Sequence, residues 1–152
     1  MGLDSYLTKR IYIGAEYEHR QVKGKVAITV NGKPLKINFN KISEITERVA
    51  YWRKANQIHA WFVKNCQGGV DDCRDAYVSE EQLKELLAEC KKIKKNKAVA
   101  GEVLPPQEGF FFGGTEIDEY YMQDIKYTID VIEEILADKS EGKGEIYYHS
   151  SW

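Results

Sequence analysis

Near the start of the chain, apolar Leu3, Leu7, Ile11 and Ile13 occupy odd positions, with Asp4, Tyr6, Thr8, Arg10 and Tyr12 among them. A period of two puts the apolar set on one face of an extended chain, so residues 3–13 are expected to form a strand. Residues 14–24 (GAEYEHRQVKG) are polar and bounded by glycines, the composition of a loop. Val26, Ile28 and Val30 then alternate up to Asn31-Gly32, and Leu35, Ile37 and Phe39 alternate beyond it. Asn-Gly accepts the positive φ angles of a type I′ turn, which predicts a hairpin. Pro34 lacks a backbone donor and suits an outer strand.

From residue 42 the spacing changes. Placed at about 100° per residue, Ile45, Val49, Trp52, Asn56, His59, Val63 and Cys66 fall on one stripe, edged by Ile42, Ala55 and Phe62. This predicts a long helix over residues 42–65, ended by Gln67-Gly68-Gly69, with GVDDCRDAY as an irregular connection. Ser79 and Gln82 have the spacing of a capping box, and Val78 and Leu83 that of a hydrophobic staple. They start a second helix with Leu83, Leu86, Leu87, Cys90 and Ile93 on one face and the basic run KKIKKNK at its C-terminus. A third helix is expected from Thr115, with Asp118 in the capping-box position and Ile117, Tyr121, Ile125, Ile129, Ile132 and Leu136 on a shared face. KSEGKGE then makes a polar loop, and EIYYHSS a terminal strand that adds to the sheet and brings Trp152 near the helices or the first strand.

Strands and helices are thus segregated along the chain, which favours an α+β architecture. A small antiparallel sheet, built from the N-terminal strand, the Asn-Gly hairpin and the C-terminal strand, is expected under three helices. With 152 residues, 1–152 should form a single domain with a conventional core. The formal charge of −2 gives no general attraction to nucleic acid or to an acidic membrane surface. No run of about 18 apolar residues occurs, so no membrane span is expected. Cys66, Cys73 and Cys90 are an odd count, awkward for a disulfide framework and simpler in a reducing cytosol.

Asn56 and His59 interrupt an apolar stripe. A buried polar group without partners costs on the order of 1–3 kcal/mol, so each either is satisfied in the core or lines a pocket. In the pocket version Arg53 holds an anion at the margin and His59 serves as donor or acid/base group, with Tyr6, Asp72, Tyr120 or Trp152 on the opposite wall. Trp61 points away from the stripe, onto a face carrying Lys54, Gln57 and Lys64, where an exposed aromatic would mark a protein interface. Asp71-Asp72, with Asp75 close by, resembles half of a carboxylate metal site, but adjacent aspartates in a loop more often cap a helix or are solvated, and His59, Cys66 and Cys73 lack the close paired spacing of structural zinc. No metal or cofactor is expected. FFFGGTEIDEYY reads as a core-packed loop leading into a capped helix, or else as an aromatic wall formed by residues 110–112 with Tyr120 and Tyr121. P-loop, GxSxG, HExxH and dinucleotide fingerprints are absent.

Several blocks, MGLDSYLTKR, YWRKANQIHAWFVKN, GVDDC, FFFGGTEIDEYY and YYHSSW, resemble those of a family of small proteins of bacteriophages and prophages, nearly end to end. The resemblance implies a bacterial host cytoplasm and carries over no activity. With the missing catalytic signatures and the Trp61 face, it favours a non-enzymatic binding protein that docks to a host or phage protein or holds a small ligand. The alternative is a small enzyme or nucleotide-binding protein using Arg53, Asn56 and His59. A virion component is a third class, weakened by the lack of repeats or a long coiled coil.

Overall fold

The computed structural model describes residues 2–13, 27–140 and 144–152. The expected loop at 14–24, the strand position Val26 and part of the KSEGKGE segment lie outside these residues. The first strand forms as expected: β1 (Asp4–Tyr12) lies inside a four-stranded antiparallel sheet. On one side it pairs with β4 (Glu44–Arg53), Tyr6 opposite Tyr51, and on the other with β6 (Glu145–Ser151), Tyr6 opposite His149. A three-residue strand, β5 (Ala76–Val78), completes the order β4-β1-β6-β5. The Asn-Gly hairpin forms from β2 (Ile28–Val30) and β3 (Lys33–Leu35), but as a separate two-stranded sheet. Pro34 sits in β3 opposite Thr29, and Ile37 and Phe39 lie beyond the paired residues.

The long helix of 42–65 is corrected. Its first half is β4, and only α1 (Asn56–Cys66) is helical. Ile45, Thr46, Val49, Tyr51 and Trp52 are β-branched or aromatic residues that pack well on a pleated surface, and the open edge of β1 supplies a ladder for them. Ala50 and Trp52 then face the core while Tyr51 and Arg53 face out, a period of two that the helical spacing of Ile45, Val49 and Trp52 masks. A bulge opposite Leu7 and Thr8 lets Val49 pass unpaired. Lys54, at φ 61°, turns the chain from strand to helix, and the N-cap is Ala55, which offers no side-chain acceptor. No capping signal therefore marks this boundary in the sequence.

Helix α2 (Glu80–Lys95) starts as expected, with Ser79 Oγ accepting from Gln82 N at 3.1 Å and Gln82 Oε1 accepting from Ser79 N at 2.9 Å. Helix α4 (Glu119–Ala137) begins four residues later than expected, because Asp118 is its N-cap and accepts from Tyr121 N at 3.0 Å. A short α3 (Ala100–Val103) follows α2. Leu7, Trp52, Val78, Ile146 and Tyr148 of the sheet join Ile58, Phe62, Leu86, Ile93, Ile125 and Ile132 of the helices in one continuous apolar cluster.

Trp61 is part of that cluster and only 6% exposed, which corrects its expected exposure. The face of α1 opposite the sheet is not free: Glu89 of α2 and Val103 and Leu104 line the same side as Trp61. Tyr6 is corrected too. It stacks on Tyr51 at 5.2 Å and His149 at 6.3 Å, under the Arg48 guanidinium, on the sheet face that points away from the helices. Trp61→Ala is expected to destabilise the fold by about 3–5 kcal/mol in denaturant unfolding, as for a buried aromatic, whereas an exposed tryptophan would change it by under about 0.5 kcal/mol.

Candidate functional site

The switch from β4 to α1 organises everything around it. Lys54 N donates to Leu3 O at 2.8 Å and Asn56 N to Lys54 O at 2.9 Å, holding the left-handed turn. Asn56 is 2% exposed and spends its whole amide on the 107–114 segment: Nδ2 donates to Phe112 O (3.1 Å) and Gly114 O (2.9 Å), and Oδ1 accepts from Gln107 N (2.9 Å). Leu3 N donates to Phe111 O at 3.0 Å from the other side. Gly113, at φ 88°, is needed where the segment passes Lys54, since a Cβ there would lie 3.1 Å from Lys54 Cβ. The phenylalanine loop is thus strapped to the strand–helix junction. At its tip Phe110 is 96% exposed.

His59, also 2% exposed, lies one helical turn further on. Its Nε2 meets Asp71 Oδ2 at 2.9 Å and its Nδ1 meets Tyr148 Oη at 2.7 Å. Because a carboxylate only accepts, Nε2 carries a proton. The Tyr148 hydroxyl continues to Ser5 Oγ at 3.0 Å, and burial pushes its pKa well above the usual tyrosine range, so it stays neutral. Trp152 Nε1 donates to the other Asp71 oxygen at 3.1 Å, and the Phe112 ring stands edge-on to His59 and to Trp152.

The predicted site residues therefore divide. Arg53, Asn56 and Tyr120 line one cleft of about 550 Å³. His59 lines another, of about 420 Å³, on the side of Trp61 and Asp71, with Trp152 reaching it through Asp71. Tyr6 joins neither. Asp72 is exposed and pairs with Arg74 Nε at 3.1 Å, so the His59 partner is its neighbour Asp71. Two adjacent aspartates in an irregular segment give a sequence no means of choosing between them.

The first cleft also holds residues that sequence reasoning missed. Gln57 is 3% exposed and donates from Nε2 to Asp124 Oδ2 at 3.3 Å. Burial raises the Asp124 carboxyl to about 6, opposed by the Gln57 amide and reinforced by the charge of Asp118. A signal existed: Asp124 falls between Tyr121 and Thr128 on the buried face of α4, where the helical pattern wants an apolar residue. Arg53, Lys54 and Glu116 line the same cleft and make no ion pair among the described residues.

A third cleft, of about 620 Å³, opens between the sheet and helices α2 and α4. It is the largest of the three, but Lys9 in its lining is already paired with Glu47 (3.1 Å) and Asp138 (3.3 Å). Unsatisfied charge beside a shifted carboxyl marks the Arg53–Asp124 cleft as the stronger candidate. Burial pushes the thiols of Cys66 and Cys90 up to about 12, so both stay protonated at neutral pH. Among the described residues no group of three or more His, Cys, Asp or Glu is arranged to hold a metal, and no helix is long and apolar enough to cross a membrane. Comparison with known proteins finds no family model, curated protein or solved structure that matches the chain.

Asn56→Ala strands three backbone groups of the loop and is expected to destabilise the fold by about 2–4 kcal/mol, with faster amide exchange at Gln107 and Phe112 as its local sign. For Asp124 the native state binds the extra proton, so its contribution is unfavourable above the folded value of about 6 and vanishes below the unfolded value near 4. Asp124→Asn removes that penalty. Allowing for solvent screening, it should stabilise by about 1 kcal/mol at pH 8 and by almost nothing at pH 4, a difference read from unfolding curves at the two pH values.

Proposed function

We propose that the chain is a non-enzymatic binding protein of phage type, working in a bacterial cytoplasm, that holds a small ligand in the Arg53–Asp124 cleft. The observation that carries this reading is the cleft itself: about 550 Å³, walled by an anchored loop, with Arg53 and Lys54 in no ion pair among the described residues and a part-buried carboxyl raised to about 6. Pockets of this size that bring a few polar groups together are the usual seats of small molecules.

Two features favour binding over catalysis. Both ring nitrogens of His59 are occupied, and every hydrogen-bonding direction used by Asn56 ends on backbone. Neither is free to move a proton to or from a substrate, and Arg53, Asn56 and His59 do not share one cleft. The docking version of the reading loses Trp61, which is buried, but gains Phe110, presented almost fully exposed on a strapped loop.

Thermal unfolding of the wild type with the small-molecule fraction of a bacterial extract tests the proposal. Occupancy at about 100 times Kd adds about 2.7 kcal/mol, a rise of roughly 5–10 °C for a chain of this size. The rise should vanish in the double variant Arg53→Ala, Asp124→Ala and survive in Phe110→Ala. No shift, or an equal shift in the double variant, would sink the ligand reading; a protein partner lost on Phe110→Ala would put docking in its place.

A further inference from the structure

The charges in the cleft do not suit a ligand of one sign. Arg53 and Lys54, at the β4–α1 junction, would repel a cation; Asp124 of α4, with Glu116 and Asp118 before it, would repel an anion. Asp118 is partly committed, since its Oδ1 accepts from Tyr121 N. The remaining cations and carboxylates share the cleft, yet form no ion pair with one another among the described residues. Opposite charges that line one cleft but do not meet leave room for a molecule to bridge them.

We propose that the occupant of this cleft is a small zwitterion, with its carboxylate at Arg53 and Lys54 and its ammonium at Asp124 and Glu116. This rests on the binding reading above and names the chemistry of its ligand. Arg53 offers planar paired donors for a carboxylate and Lys54 a point charge beside them. Asp124 is held in place by Gln57, itself buried, so the ammonium end meets a preorganised acceptor. The Tyr120 ring, 76% exposed on the same cleft, can cover the hydrocarbon between the two charges. A neutral ligand of the same shape would desolvate these charges and return nothing to them.

Calorimetric titration of the full chain with glycine, β-alanine, 4-aminobutanoate and 5-aminopentanoate varies the charge separation, and butanoate and butylammonium supply each charge alone. At least one zwitterion should bind about tenfold or more tighter than both single-charge compounds. That advantage should fall to under about threefold in Arg53→Gln and in Asp124→Asn. Both positions tolerate the change: Arg53 is exposed, and Asp124→Asn is expected to stabilise the fold. Butanoate or butylammonium binding as tightly as the best zwitterion, or saturation by none of the four, would overturn the proposal. If the extract still stabilises the wild type and not the double variant, the ligand class alone is wrong; if it does not, the binding reading falls with it.

Discussion

A side-chain amide sealed from water must find its partners inside the protein, and Asn56 finds three on a segment more than fifty residues away. Those bonds join the first turn of α1 to the loop before α4, while Lys54 and Leu3 tie the same junction to the start of β1. Removing them would free the phenylalanine loop, open the wall of the Arg53–Asp124 cleft and loosen the Phe112 ring that stands against His59. The polar interruptions of an apolar pattern are here the points at which separate elements are held in register.

His59 acts in the same way one turn along. Its bonds to Asp71 and Tyr148 connect α1 with the 67–75 segment and with β6, and Ser5 extends the chain to β1. Trp152 closes on Asp71 from the end of β6. A buried network of this kind is stabilising only when every member is satisfied, which explains why the histidine has no nitrogen to spare for chemistry. The charges that form no ion pair among the described residues, Arg53, Lys54 and Glu116, line the other cleft with Asp124, and there a ligand has something to gain.

The sites differ in how much of them could be read beforehand. Asn56 and His59 stood out because they break a stripe, and both are indeed buried and bonded. Trp61 was misplaced because its angle on a helical wheel says nothing about what packs on that side, and α2 with the 103–104 residues covers it. Tyr6 and Arg53 belong to a sheet face and a strand end that appear only when residues 44–53 are seen as β4. Asp71 and Asp124 acquire meaning from partners twelve and sixty-seven residues away, separations that no local pattern encodes.

The sequence by itself determined the features that local chemistry dictates: the period-two strand β1, the Asn-Gly turn, the capping box of α2, the aromatic strand β6 and the α+β class they add up to. Each depends on neighbours within a few residues, so propensity and capping suffice. Only the tertiary structure decided whether 44–53 became strand or helix, because its spacing satisfies both periods and the free edge of β1 chose between them. It also decided which charges meet and which do not, since burial and pairing are properties of surfaces brought together by folding and not of any single stretch of chain.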